Sequence, residues 1–249
     1  MLKKRLLTFS LIICLLIGLI WAWNHHINQP TMQNKTILKT KEKSSLATKP
    51  TYHTDHNLLV VNKKHPLTQD YNPFKGALDT NNPDGGGLSE NANQAKNEII
   101  AALQAAGFPI SNQVSGYRSY QYQTTLYNNY VANHGQKEAD TFSARPGYSE
   151  HQSGLAFDLT GQNGQLPTDD KMYKWLQNNA YKYGLIIRFP RHSSTQTGYI
   201  GEEWHLRYVG INNATTMNKK KISTLEEYPG VKGGDYHPDA SQDQLAVNE

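Results

Sequence analysis

Leu6 to Trp23 run for 18 residues without a charge, directly after the basic cluster Lys3, Lys4 and Arg5. As a helix rising 1.5 Å per residue, such a run reaches roughly 27 Å, about the thickness of a bilayer's hydrocarbon core. It closes on Trp21-Ala22-Trp23, an aromatic pair suited to a membrane interface, rather than on a small-residue cleavage site. The pattern predicts a basic cytoplasmic end and an uncleaved transmembrane helix over residues 1–23, single-pass, which places everything after Asn24 outside the cell. Residues 24–57 are rich in Lys, Thr, Asn, Gln and Ser with no apolar period. They bury too little to offset the entropy of ordering and are expected to be an extracellular linker. Residues 229–249 have the same character, and a disordered tail is expected there, with His237 facing solvent.

Between these extensions, over residues 58–228, helical and extended patterns alternate. Ala95, Ile99, Ala102, Leu103 and Ala106 recur at helical spacing up to Gly107. Ser119 is placed to cap a second helix that carries Tyr122, Leu126 and Tyr130 and stops at His134-Gly135. Met172, Trp175, Leu176, Asn179, Ala180 and Tyr183 make the clearest helical line, before Gly184. Extended character falls at Val114–Arg118, Leu155–Thr160 and Trp204–Val209. A mixed α+β fold follows, a small antiparallel sheet flanked by helices, rather than a pure bundle or sandwich.

The strand alternation has a chemical consequence. Leu155, Phe157 and Leu159 share one face, which sends Asp158 to the other; Trp204, Leu206 and Tyr208 share a face, which leaves His205 and Arg207 opposite. Asp158 and His205 can therefore meet across neighbouring strands, with His151 arriving from the preceding loop. Gly154 would let the backbone pass close to a metal. Glu202, three residues before His205, would face away in a straight strand, so the chain is expected to bend near Gly201 or to carry Glu202 on the loop leading in.

With 37% hydrophobic residues the chain suffices for one domain of ordinary size plus its extensions. The net charge of +4 owes three of its charges to the extreme N-terminus, and no basic helix or ribonucleoprotein pattern accompanies it, so no nucleic-acid partner is expected. Cys14 is the single cysteine and lies inside the apolar run, which excludes a disulfide framework and a cysteine-ligated metal. No Gly-x-Ser-x-Gly or Ser-x-x-Lys motif offers a serine nucleophile. Two imidazoles and a carboxylate, His151, Asp158 and His205, are what a catalytic zinc ion takes as three protein ligands while keeping a position for water. Glu202 is the candidate general base, with Glu203 as its rival. Arg118 is a planar, permanently charged donor suited to a substrate carboxylate or a developing oxyanion.

The blocks Ser149-x-His151-x-x-Gly154-x-x-x-Asp158, Glu202-x-x-His205 and SGYRSYQYQ around Arg118 resemble those of the VanY-type zinc D,D-carboxypeptidases. These belong to a metallopeptidase group that also holds lysostaphin-like and hedgehog-like domains. The resemblance runs from about Leu58 to Tyr228. It implies one Zn2+ held by His151, Asp158 and His205, Glu202 rather than Glu203 as base, Arg118 serving substrate and transition state, and Ser149 and Gln123 hydrogen-bonding the substrate. The substrate it implies is the peptidoglycan stem peptide, with loss of a terminal D-alanine. An L,D-carboxypeptidase acting on tetrapeptide stems, a wall endopeptidase and a zinc-holding module without turnover are the alternatives. A monomer is expected, its catalytic domain facing the cell wall.

Overall fold

The computed structural model describes residues 55–74 and 87–236. The expected anchor, nearly all of the linker, and His237 with the rest of the tail's end lie outside them; among the described residues no helix is long and apolar enough to cross a membrane. In chain order the elements are α1 (Glu90–Ala105), β1 (Ile110–Ser115), α2 (Tyr120–His134), α3 (Gln136–Phe142), β2 (Ala156–Gly161), α4 (Asp170–Asn179), β3 (Leu185–Phe189), α5 (Ser194–Thr197), β4 (Glu202–Tyr208) and α6 (Ile211–Lys220). Short 3-10 turns occupy His56–Leu58, Glu150–Ser153 and Ala180–Tyr183. The strands form one antiparallel sheet in the order β1-β2-β4-β3, so the α+β arrangement expected from the alternating patterns is the one observed.

Local chemistry sets the helix starts. The Ser119 hydroxyl accepts from the Tyr122 N–H at 3.0 Å to open α2. Asp169 accepts from the N–H groups of Lys171 and Met172 at 2.7 and 2.9 Å to open α4, and caps of this kind each stabilise by about 1 kcal/mol. Ile99, Leu103 and Ile100 of α1 and Met172 and Leu176 of α4 then pack on one face of the sheet, against Phe157, Leu159, Ile187 and Leu206. Burying each such side chain is worth roughly 1.5–3 kcal/mol. The opposite face is left for polar side chains, and the site is built there.

Two expectations need correction. The strand placed at Val114–Arg118 lies instead at Ile110–Ser115, and Arg118 sits in the turn beyond it. Ser111, Asn112 and Gln113 have poor intrinsic strand preference, and pairing with β2 overrides it. The tail does not begin at Pro229: residues 229–236 pack on the domain, with Gly234 N–H donating to Gln196 O at 2.8 Å and Lys63 pairing with Asp235 at 3.1 Å. A polar composition concealed this because the segment docks through backbone, charge, Tyr236 and the lone apolar Val231 rather than through an apolar stripe.

Candidate active site

Asp158 of β2 stands directly opposite His205 of β4 in the ladder, because their neighbours Phe157, Leu159 and Leu206 are claimed by the core. His151 comes from the 3-10 turn Glu150–Ser153, which Gly154 ends in a left-handed conformation at φ 68°. A Cβ at position 154 would lie 3.0 Å from the Phe74 ring and 3.2 Å from Pro73. The glycine therefore serves the turn and its packing against Phe74, rather than the approach to a metal anticipated from the sequence.

Ligand atoms of His151, Asp158 and His205 lie within 4.8 Å of one another, and all three residues are buried. His151 Nδ1 is 2.6 Å from Gly116 O; a carbonyl can only accept, so Nδ1 carries the proton and Nε2 is left bare, 3.3 Å from Asp158 Oδ2. His205 turns Nε2 to Glu150 Oε2 at 3.3 Å and presents Nδ1 at 3.1 Å from Asp158 Oδ1. That contact lacks hydrogen-bond geometry, and Asp158 Oδ1 is a buried acceptor without a partner. Two anchored imidazoles and an unsatisfied carboxylate oxygen fit a small divalent cation with nitrogen and oxygen preference, as zinc has. Electrostatics agree. Burial opposes charge on Asp158, but His151 and His205 hold its carboxyl well below the usual range. Burial likewise opposes charge on His205, yet Asp158, Glu150 and Glu202 raise it well above an ordinary imidazole. Three carboxylates gathered around His205 favour positive charge at that point.

Glu150 was missed from the sequence. Besides His205 it meets Arg188 Nε at 2.7 Å and Arg207 Nη1 at 2.6 Å, and both arginines are fully buried. Arg188 also reaches Glu226 through Nη1 at 2.9 Å and Nη2 at 2.6 Å. The two guanidinium groups outweigh burial and hold Glu150 ionised, its pKa pushed well down. The available signal was Arg207, which shares the His205 side of its strand and needs a buried anion there.

Glu202 opens β4, and Oε2 lies 3.5 Å from His205 Nδ1. Ile187 pairs with Leu206 whereas Phe189 pairs with Glu202; a regular ladder would put Trp204 opposite Phe189. The strand thus carries two extra residues, and this bulge, inside β4 rather than at Gly201, turns Glu202 to the side of His205. Burial raises its pKa, against the pull of His205. Glu203 is held by Arg191, away from the three ligands.

The same cleft, about 270 Å³, is lined by Arg118, Gln123, Ser149, Glu202 and the three ligand residues. Arg118 Nη2 donates to Asp158 Oδ2 at 2.6 Å and to Ser115 Oγ at 2.9 Å. Gln123 donates through Nε2 to Ala144 O at 2.7 Å, which fixes its amide orientation and leaves a buried Oε1 unpartnered. Ser149, 3% exposed, immediately precedes the His151 turn. Leu126, Tyr130, Phe142, Leu166 and Ile200 supply an apolar wall. In the sequence these residues are indistinguishable from core, since apolar lining looks like core until the fold exposes it.

Residues 86–211 match the family model described as VanY: D-alanyl-D-alanine carboxypeptidase. Among curated relatives, the Bacillus subtilis (strain 168) protein YodJ is 38% identical over 146 residues, 57% of this chain and 53% of that protein. The chain thus matches about half of YodJ's length. A D-alanyl-D-alanine carboxypeptidase of Enterococcus faecalis is 32% identical over 204 residues, 77% of this chain and 73% of the relative. Among solved structures, an L,D-carboxypeptidase DacB of Streptococcus pneumoniae is similar at a TM-score of 0.64 and 46% identity, covering 72% of this chain and 89% of that one. A vancomycin resistance D,D-pentapeptidase VanY in complex with Zn(II) is similar at 0.57 and 30% identity, covering 70% and 99%.

Proposed function

Because the chain belongs to the VanY family of D-alanyl-D-alanine carboxypeptidases, we propose that it hydrolyses the terminal D-alanine from peptidoglycan stem peptides, as a zinc enzyme. The observation that carries this reading is the convergence of His151, Asp158 and His205 with Glu202 at their edge. Zinc held by those three residues would supply a Lewis acid that makes water nucleophilic near neutral pH. Glu202, turned inward by the bulge and with its pKa raised by burial, would take the proton from the attacking water and hand it to the leaving amine. Arg118, beside Asp158 at the cleft, would grip the substrate's terminal carboxylate or the oxyanion formed during attack. The unpartnered Gln123 Oε1 would accept from a substrate N–H, and Ser149 would add a hydroxyl contact. A substrate in the wall agrees with the outward-facing, membrane-anchored protein expected from residues 1–23.

A second reading shares every one of these roles. The 46% identity to an L,D-carboxypeptidase structure, against 30% to the VanY structure, favours removal of the terminal D-alanine from the tetrapeptide stem. Incubating the zinc-loaded protein with pentapeptide and tetrapeptide muropeptides and weighing the products separates the two. Loss of one alanine from the pentapeptide is expected. Loss from the tetrapeptide alone would assign the L,D reaction, and separation of cross-linked dimers would replace both with an endopeptidase.

A further inference from the structure

We infer that residues 229–236 are a strap belonging to the substrate cleft, in which Tyr236 is a positioning residue that fixes the Ser143–Ser149 loop against the Tyr199–Ile200 wall. The inference rests on the carboxypeptidase reading. None of the proposed catalytic roles uses this segment, and the sequence placed it in a disordered tail.

Tyr236 joins two walls of the cleft. Its hydroxyl accepts from the Arg145 N–H at 2.9 Å and lies 3.3 Å from the Tyr199 hydroxyl. Its ring meets Tyr148 edge-on at 5.1 Å and stacks under the Arg145 guanidinium at 4.1 Å. Arg145 is itself held by Asp140 through Nε at 3.0 Å and Nη2 at 2.7 Å. Ser143, Ala144, Tyr148 and Ser149 line the cleft from one side, and Tyr199 and Ile200 from another. Both Ser149 and Ala144, the carbonyl partner of Gln123, ride on the loop that Tyr236 pins.

The strap's seat is built for it. Lys63, 3% exposed, pairs with Asp235 at 3.1 Å and sits over the rings of Tyr199 and Tyr236 at 4.7 and 4.9 Å. Asn62 donates to Lys232 O at 3.2 Å. A Cβ on Gly233 would fall 1.8 Å from Gln196 O, so only glycine permits the close approach that the Gly234 N–H to Gln196 O bond requires. Buried charge, cation–π contacts and a backbone clash at any other residue are more than a solvated tail needs.

Steady-state kinetics on the stem peptide that the wild type cleaves, with zinc content measured alongside, test this. Tyr236→Ala and Gly233→Ala, which displaces the strap without altering the tyrosine, should each raise KM about tenfold with kcat within about twofold and zinc unchanged. Tyr236→Phe keeps the ring contacts and loses the hydroxyl, and should raise KM about threefold. Unchanged KM in all three variants overturns the inference. So does a fall of kcat and zinc content alongside the rise in KM, the mark of a general structural role. Should the wild type cleave no stem peptide, the reaction reading fails, and calorimetry of the same peptides on zinc-loaded wild type and Tyr236→Phe then decides the inference: weaker binding by the variant sustains it and equal binding overturns it.

Discussion

Glu150 and His205 meet Oε2 to Nε2 at 3.3 Å across 55 residues of chain, while Glu150's own neighbour His151 belongs to the same group of three that could hold a metal ion. One buried carboxylate thus orients the His205 ring on β4 and anchors the turn that carries His151. It also compensates Arg188 and Arg207, which have no access to solvent.

Replacing it should therefore damage two properties at once. Glu150→Gln leaves two buried guanidinium groups under-compensated, a change that costs about 3–5 kcal/mol. It also weakens the orientation of His205, and zinc affinity should fall about 10–100-fold. Denaturant unfolding and chelator competition measure the two, and unchanged values in both would remove Glu150 from the site's support.

Glu202 and Glu203 separate cleanly by mutation. Glu202→Gln should lower kcat by about 10²–10⁴-fold with zinc retained. Glu203→Gln releases Arg191 at the surface side and should change kcat by less than about threefold. Equal losses in the two variants would return the base to an open question.

Metal removal has a thermodynamic signature beside the loss of activity. With zinc at 100 times its Kd the folded state gains about 2.7 kcal/mol by mass action, so chelation should lower the melting temperature and added zinc should restore it. A His151→Ala, His205→Ala double variant should show no zinc-dependent shift. A shift that survives in that variant would place the metal elsewhere.

Much of this arrangement was legible in the residues themselves. Period-2 alternation around Phe157 and Leu206 was enough to send Asp158 and His205 to one face, and the observed ladder pairs them directly. A helix start was legible at Ser119, whose side chain caps it, whereas the cap at Asp169 was not read. What escaped was long-range. β3 carries Arg188 in an apolar run, and nothing local says that its charge will be met by Glu150 and Glu226. The bulge in β4 depends on its pairing with β3, which no window of one strand contains. The strap was hidden because its attachments are made with residues such as Lys63, Arg145 and Gln196, far away in sequence.

Mild acid should lower the stability of the domain through His65. Burial holds His65 below the ordinary imidazole value of 6.5, against its ring contact with Lys232 O and the charge of Glu226. A histidine with a depressed pKa binds fewer protons folded than unfolded in the window below 6.5, so stability is full above that pH and is lost as pH falls through the folded value. Unfolding free energy measured from pH 7.5 to 5 should decline more in the wild type than in His65→Gln. Parallel curves would exclude His65 from the acid response.

The two surplus residues in β4 have a consequence for turnover. Shortening the strand by that pair would restore an unbroken ladder, leave His151, Asp158 and His205 in place, and swing the acid toward the opposite side of the sheet. Such a deletion would separate the cleft's two tasks, with turnover lost and ion capture kept.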